Sequence, residues 1–180
     1  MAHLVVLLAD GFEEIEAITI IDLLRRADIT VTTVGLRKNE VSGGHGITVT
    51  ADTTLKHLPA SFDGIVLPGG GEGTKNLADT PAVLDLVKKT FDGNLLCAAI
   101  CAAPSVFGKA GILHNVRATC YPGFEDDLTG ARFIEAAVVR DRNVITGRGV
   151  AAAIPFALEL INQIAGEAAA DRVGSAILYS

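Results

Sequence analysis

Short apolar runs alternate along the chain with longer segments of helical periodicity. Residues 3–8 form a continuous apolar run, typical of a strand covered on both faces. Residues 14–27 place isoleucines and leucines at helical spacing and carry two arginines near their end. The other predicted elements are strands at 30–34, 47–50, 64–67 and 94–100, helices at 81–91, 102–110, 151–165 and 168–178, and a hairpin-like pair of strands at 136–140 and 143–146. This alternation predicts an α/β fold with a mostly parallel sheet and helices on both faces.

The pattern gives no reason to divide the chain. There is no internal repeat and no linker, and 180 residues suit one well-packed domain. The glycine-rich residues 43–46 (GGHG) predict a tight connection within a small added β element. We therefore expect residues 1–180 to form a single doubly wound domain.

Composition and charge narrow the class of protein. Hydrophobic residues make up 49% of the chain and charged residues 20%, which indicates a compact globular protein. The net charge of −6 argues against nucleic acid as a main partner, because phosphate binding needs a basic surface. No run approaches the roughly 20 apolar residues of a membrane span. The N-terminus lacks the basic stretch of a signal peptide, and three cysteines form no closed disulfide set, so we expect a cytoplasmic protein with free thiols.

Polar or glycine-rich sequences follow three of the predicted strands. They occupy residues 10–16, 68–73 and 101–104. In sheets of this kind, ligands bind beyond the carboxyl ends of the strands. The three segments therefore predict a functional site at one edge of the sheet.

Cys101 lies where a predicted strand turns into a predicted helix. A sharp turn there would push the thiol into the cleft, and the helix N-terminus would lower its pKa. Cys101 is thus the candidate nucleophile, although many free cysteines are simply small buried hydrophobes. Cys97 lies within the apolar strand and is interpreted as core. Cys120 is either a second exposed thiol or packing, and packing is favoured.

The other two segments offer a carboxyl group and backbone amides. Glu13 and Glu14 are ordinary residues for the first turn of a helix, where acidic side chains complement the helix dipole. Glu16 lies among apolar neighbours and is expected to point inward, with a raised pKa that lets it donate a hydrogen bond. The glycines of residues 69–73 allow unusual backbone angles and expose N–H groups to an oxyanion. They lack the spacing of a nucleotide-binding loop.

Four stretches carry a resemblance to a known family: GFEEIEA at residues 11–17, LPGG at 67–70, AAICAAP at 98–104 and ITGRG at 145–149. In this order and spacing the chain resembles the ThiJ/PfpI superfamily, and specifically its DJ-one (DJ-1) branch, whose human member is associated with parkinsonism. The resemblance extends over nearly the whole chain. It implies a flavodoxin-like α/β/α sandwich, a homodimer, and a cysteine at the elbow as the functional centre.

By matched position, the resemblance assigns the nucleophile to Cys101 and its hydrogen-bonding carboxyl to Glu16. The oxyanion and substrate pocket would comprise Gly70, Ala102, Glu13, Tyr121, Gly147 and Arg148. The activities it implies use no cofactor and no metal ion.

Two positions depart from the family pattern. Tyr121 lies where close relatives often carry a histidine, and Tyr121 is a poor base near neutral pH. His45 occupies the place of an arginine, and His114 is expected at the surface. Because no histidine is expected beside Cys101, protease and glutaminase functions are not supported. Glu16 would have to carry out the proton transfers.

Two functions of different classes are compatible with these residues. The first is an enzyme that converts methylglyoxal-type dicarbonyls, or their early glycation adducts on protein or nucleotide, to 2-hydroxy acids. The second is a non-enzymatic oxidative-stress sensor or redox chaperone that works through oxidation of Cys101. Both need Cys101 and Glu16, so the sequence does not separate them.

Overall fold

A computed structural model describes residues 2–179. Its strands, in chain order, are β1 (His3–Leu8), β2 (Thr30–Gly35), β3 (Glu40–Ser42), β4 (Thr48–Thr50), β5 (Thr53–Thr54), β6 (Gly64–Leu67), β7 (Leu96–Ile100), β8 (Arg117–Ala118), β9 (Arg132–Phe133), β10 (Val138–Asp141) and β11 (Val144–Gly147). The α-helices are α1 (Glu14–Arg26), α2 (Gly71–Ala78), α3 (Pro81–Asp92), α4 (Pro104–Lys109), α5 (Ala153–Ala165) and α6 (Glu167–Ala176).

Seven strands form the central sheet, in the order β10-β11-β7-β6-β1-β2-β5. Every pairing is parallel except that of β10 with β11, which run antiparallel as a hairpin. The carboxyl ends of β1, β6 and β7 are therefore neighbours. The segments that follow these three strands meet at one edge of the sheet.

The two faces of the sheet bury separate apolar cores. Along β1, Leu4, Val6 and Leu8 face one core, while Val5 and Leu7 face the other. This alternation is what a strand buried on both faces requires. Helices α1, α5 and α6 cover the first face, and helices α2, α3 and α4 cover the second.

The predicted fold class is confirmed: the protein is a single α/β domain with a mostly parallel sheet between two layers of helices. The added β element is the β3–β4 hairpin, with residues 43–47 at its tip. Helix α4 is shorter than predicted, and residues 150–152 form a 3₁₀ turn before α5. Helix α2 was not predicted, because its glycine-rich start conceals helical periodicity. Within residues 2–179, the helices are too short or too polar to cross a membrane.

Candidate active site

Cys101 occupies a strained turn at the carboxyl end of β7. Its φ angle is +65°, a left-handed conformation that residues other than glycine seldom adopt. Two backbone hydrogen bonds hold it there: Cys101 N–H donates to Gly147 O at 2.9 Å, and Tyr121 N–H donates to Cys101 O at 2.8 Å. The side chain remains partly exposed. The predicted elbow is therefore present, and it directs a thiol out of the sheet edge.

Glu16 lies in the first turns of α1 and is completely buried. Gly69 N–H donates a hydrogen bond to Glu16 Oε2 at 2.8 Å. Among residues 2–179, Oε1 accepts no hydrogen bond from a nitrogen or oxygen donor. The carboxyl group lies close to the side chain of Cys101. The inward orientation predicted for Glu16 is thus present in the structure.

Gly69 separates the two side chains and sets their approach. A Cβ atom at this position would lie 2.5 Å from Cys101 Cβ and 2.6 Å from Glu16 Oε2. Both distances are shorter than real Cβ contacts, so any side chain at residue 69 would force the thiol and the carboxyl apart. The close pairing of Cys101 with Glu16 therefore depends on a glycine here.

The pKa of Glu16 is raised from 4.5 to about 7. Burial is the main cause, and the negative charge of Glu13 adds to it. The hydrogen bond from Gly69 N–H and the nearby Cys101 thiol act in the opposite direction. Both forms of Glu16 are consequently populated near neutral pH, which suits a group that accepts and returns protons.

The pKa of the Cys101 thiol shifts in the direction opposite to that predicted from the sequence. Burial, and then the charge of ionised Glu16, raise it to about 12, although the backbone amides of Gly70 and Ala102 act to lower it. Helix α4 begins only at Pro104 and has six residues, so its dipole does not outweigh these effects. Protonation of Glu16 removes the opposing charge and supplies a donor. The thiolate therefore forms most readily when Glu16 carries the proton.

The backbone of Gly70 is positioned by close packing against the segment that follows β1. Gly70 has a φ angle of +93°, and a Cβ atom there would lie 2.7 Å from Glu13 N. Glu13 N–H donates to Gly69 O at 3.0 Å, which ties the two loops together. The structure thus brings the amides of Gly70 and Ala102 to the thiol, as the resemblance implies. An oxyanion role for these amides stays a prediction.

Glu14 has structural contacts that sequence reasoning missed. It is buried and accepts hydrogen bonds from His45 N–H at 2.6 Å, His45 Nδ1 at 2.9 Å and Ile47 N–H at 3.4 Å. Burial opposes ionisation, but these hydrogen bonds outweigh it and lower the pKa of Glu14 to about 2. Glu14 therefore fastens the tip of the β3–β4 hairpin to the start of α1. The only sequence signal for this pairing was a histidine within the glycine-rich turn.

Glu13, Glu14 and His45 are also the one group in the described chain whose ligand atoms fit a metal ion by distance, since these atoms lie within 4.8 Å of one another. The hydrogen bonds of Glu14 to His45 explain the grouping without an ion. Glu13 is further engaged at the start of α1, where its Oε1 accepts from Ile15 N–H at 3.4 Å.

Tyr121 and Arg148 both line a cleft formed by the segments that follow β8 and β11. Arg148 Nη2 lies 2.8 Å from Glu135 Oε1, so its charge is paired. The carbonyl of Gly147, one residue earlier, accepts the hydrogen bond from Cys101. Of the pocket residues predicted from the sequence, Tyr121, Gly147 and the amides of Gly70 and Ala102 therefore lie at Cys101, whereas the charge of Arg148 is paired with Glu135.

The two other thiols lie in the core. Cys97 and Cys120 are both fully buried, and both belong to the core on the α2–α4 face, whereas Cys101 packs against the other core. Burial raises the pKa of Cys97 to about 12 and that of Cys120 to about 11. Cys97 and Cys120 are therefore packing residues, in agreement with the favoured interpretation. His114 is exposed, as predicted.

The fold and the site together define an α/β protein with a cysteine elbow facing a buried carboxyl group. A model of the DJ-1/PfpI family matches residues 2–163. The chain is 37% identical over 179 residues to protein dj-1beta of Drosophila melanogaster, and the match covers 97% of this chain and 96% of the relative. The chain belongs to the DJ-1/PfpI family.

Solved structures and a further relative support this assignment. The crystal structure of Drosophila DJ-1beta has a TM-score of 0.96 at 36% identity, covering 99% of this chain and 98% of that one. The structure of oxidised Toxoplasma gondii DJ-1 also has a TM-score of 0.96, at 32% identity over the full length of both chains. A Pyrococcus abyssi protein named a deglycase is 33% identical over 149 residues, which is 81% of this chain and 89% of the relative.

Proposed function

We propose that this protein is a cofactor-free enzyme that converts methylglyoxal-type dicarbonyls, or their early glycation adducts, to 2-hydroxy acids. The observation that carries the proposal is the pairing of the partly exposed Cys101 thiol with the buried Glu16, whose pKa is about 7. A nucleophile beside a group that exchanges protons near neutral pH is the minimum that this chemistry requires. The deglycase name of the Pyrococcus relative supports the extension to glycation adducts.

The reaction begins with transfer of the thiol proton to Glu16. The Cys101 thiolate attacks the aldehyde carbon, and the carbonyl oxygen takes up the proton to give a hemithioacetal. Ionised Glu16 then removes the proton from the former aldehyde carbon and returns it to the neighbouring carbon through an enediol, while the hydroxyl proton of the hemithioacetal passes to the second carbonyl oxygen. The product is a thioester of the 2-hydroxy acid. Water hydrolyses the thioester, which restores the thiol, so one water is consumed and no external oxidant is needed.

The amides of Gly70 and Ala102 support the first and last of these steps. Both act to lower the pKa of the Cys101 thiol and so favour its anionic form. Donors in that position also lie close to an oxygen on the carbon that sulfur attacks, where negative charge develops. Ile15 and Ile18 are exposed on α1, and exposed Ile47 is held to the same helix by the hydrogen bond of its N–H to Glu14. These exposed apolar side chains support the homodimer that the family resemblance implies.

Replacement of Cys101 tests the proposed reaction. We expect wild-type protein to form lactate from methylglyoxal without glutathione, and Cys101→Ser to show no turnover above the uncatalysed rate, because a serine hydroxyl is far less acidic than a thiol. Chiral chromatography of the lactate measures both rates. Cys97→Ala is the matched control, since Cys97 is buried on the opposite face of the sheet, and it should retain wild-type turnover. Equal lactate formation by Cys101→Ser would refute the cysteine mechanism.

A redox function is the second candidate, and the same carboxyl group favours it. Protonated Glu16 can donate a hydrogen bond to one oxygen of a sulfinate on Cys101, whereas ionised Glu16 would repel the product. The relative from Toxoplasma gondii was solved in an oxidised form. Full burial of Cys97 and Cys120 restricts the chemistry to Cys101.

Graded oxidation tests this second function. Mild peroxide is expected to add two oxygens to Cys101 and none to Cys97 or Cys120, as read by peptide mass spectrometry. First oxidation at any residue other than Cys101 would contradict the redox proposal.

A further inference from the structure

A cleft beside Cys101 offers more space than the conversion of methylglyoxal uses. Its walls continue from the two segments that hydrogen-bond to the Cys101 backbone, one through Gly147 and the other through Tyr121. The first wall runs along residues 148–152, and the second comprises Tyr121 and Pro122. The cleft therefore lies close to the backbone of Cys101.

The lining of the cleft is mainly apolar. Pro122, Ala137, Val150 and Ala151 contribute aliphatic surface, and the half-exposed ring of Tyr121 contributes aromatic surface. Arg148 is the one charged residue among the described lining residues, and its guanidinium is neutralised by Glu135 at 2.8 Å. A neutral apolar group suits this surface better than an anionic one.

Small side chains keep the cleft open. Ala137 and Ala151 are exposed on its walls, and the Tyr121 ring lies against Gly149, where a Cβ atom would be 3.2 Å from Tyr121 Cδ2. The cavity volume is about 520 Å³, within the roughly 300–1,000 Å³ typical of small-molecule sites. Methylglyoxal would place a single methyl group there.

We propose that the cleft is a subsite for a neutral apolar substituent of the carbonyl substrate, such as a phenyl ring. The favoured substrates are then α-oxoaldehydes that carry an aromatic or branched alkyl group beside the second carbonyl. The substrate class rests on the proposed function. Binding of the apolar group beside Cys101 does not, so the two can be tested apart.

Alkylation of Cys101 tests the subsite without any turnover. N-benzyl iodoacetamide places a phenyl ring in the cleft when it reacts with Cys101, whereas iodoacetamide does not. The quantity compared is the rate of alkylation by the benzyl reagent divided by the rate of alkylation by iodoacetamide. We expect this ratio to be at least about tenfold higher for Cys101 of the wild-type protein than for free glutathione. Peptide mass spectrometry assigns each adduct to its cysteine.

Filling the cleft should remove this preference. Ala151→Leu, and independently Ala137→Leu, should bring the ratio of the two alkylation rates to within about threefold of the glutathione ratio, because the added side chain occupies the space for the ring. The matched control is Ala168→Leu, an exposed position on α6 that should keep the wild-type ratio. A wild-type ratio equal to that of glutathione, or a ratio unchanged in both filled variants, would overturn the subsite.

Turnover then tests the substrate class. The ratio of kcat/KM for phenylglyoxal to that for methylglyoxal should fall at least about tenfold in Ala151→Leu and stay unchanged in Ala168→Leu. If wild-type protein converts neither compound but retains the benzyl preference, the proposed reaction fails and the subsite stands. If wild-type protein converts both compounds and Ala151→Leu leaves the ratio of the two kcat/KM values unchanged, the reaction stands and the substrate class is wrong.

Discussion

Gly69→Ala is expected to lower kcat/KM for methylglyoxal by about 10²-fold or more in a protein that still folds. The new methyl group would lie 2.5 Å from Cys101 Cβ and 2.6 Å from Glu16 Oε2, so the thiol and the carboxyl must move apart. A displacement of about 1 Å at a reacting group can cost about 10²-fold in rate. Steady-state kinetics give the rate, and circular dichroism and thermal unfolding report whether the fold is retained.

Gly71→Ala is the matched control for this substitution. Gly71 is the first residue of α2, and no atom lies within 4 Å of a Cβ atom placed there. Alanine is also a better helix former than glycine. We expect Gly71→Ala to keep wild-type kcat/KM. A folded Gly69→Ala protein with kcat/KM within about threefold of wild type would show that the close approach of Cys101 to Glu16 is not needed for the reaction.

Glu16→Gln should change turnover and thiol reactivity in opposite directions. Glutamine cannot exchange a proton, so dicarbonyl turnover should fall by about 10²–10⁴-fold, which is the contribution that general acid–base groups usually make. The same change removes the negative charge that raises the pKa of Cys101, so alkylation of Cys101 by iodoacetamide at pH 7 should become faster. Slower alkylation together with lost turnover would indicate a general disruption of the site instead.

The same substitution should alter the pH dependence of stability. The pKa of Glu16 is about 7 in the folded protein and 4.5 in the reference state, so the unfolded chain releases this proton first as pH rises. The free energy of unfolding should therefore decrease between about pH 4.5 and 7, by on the order of 3 kcal/mol from this group. Glu16→Gln should be more stable than wild type at pH 8, and the difference in free energy of unfolding should be smaller at pH 5.

Urea unfolding at pH 5 and pH 8 measures the effect in both proteins. His45, whose pKa is raised chiefly by its hydrogen bond to Glu14, titrates in wild type and variant alike, so the difference between them isolates Glu16. The lowered pKa of Glu14 acts mainly below this range, because its stabilisation is lost only as pH falls from 4.5 towards 2. If the free energy of unfolding changed by the same amount from pH 5 to pH 8 in wild type and in Glu16→Gln, Glu16 would not have a raised pKa in the folded protein.

The parts of the site that follow from periodicity and topology were predictable from the sequence. The apolar run before Cys101 indicated a strand, and parallel strands bring their carboxyl ends to one edge. Glu16 was expected to point inward because of its apolar neighbours, and it is completely buried. These inferences depend on local sequence and on the rules of parallel sheets.

Other parts depend on contacts that local sequence does not contain. The pairing of Glu14 with His45 joins residues 31 positions apart, and only the packing of the hairpin tip on α1 brings them together. The pKa of Cys101 was predicted to fall from a helix dipole alone. Burial and the charge of Glu16 depend on tertiary structure, and together they reverse the sign. The cleft likewise forms from segments that are remote in the chain, around Tyr121, Ala137 and Arg148.

Stepwise alkylation with a parallel activity assay tests most directly whether Cys101 is the reactive centre. The protein is treated with increasing iodoacetamide, and at each step lactate formation from methylglyoxal and the labelled fraction of each cysteine peptide are measured. We expect activity to fall linearly with the labelled fraction of Cys101 and to vanish when that fraction is complete, with Cys97 and Cys120 still unlabelled because the core buries them. Activity that persists in protein fully labelled at Cys101, or that is lost in proportion to labelling of Cys97 or Cys120, would contradict the assignment.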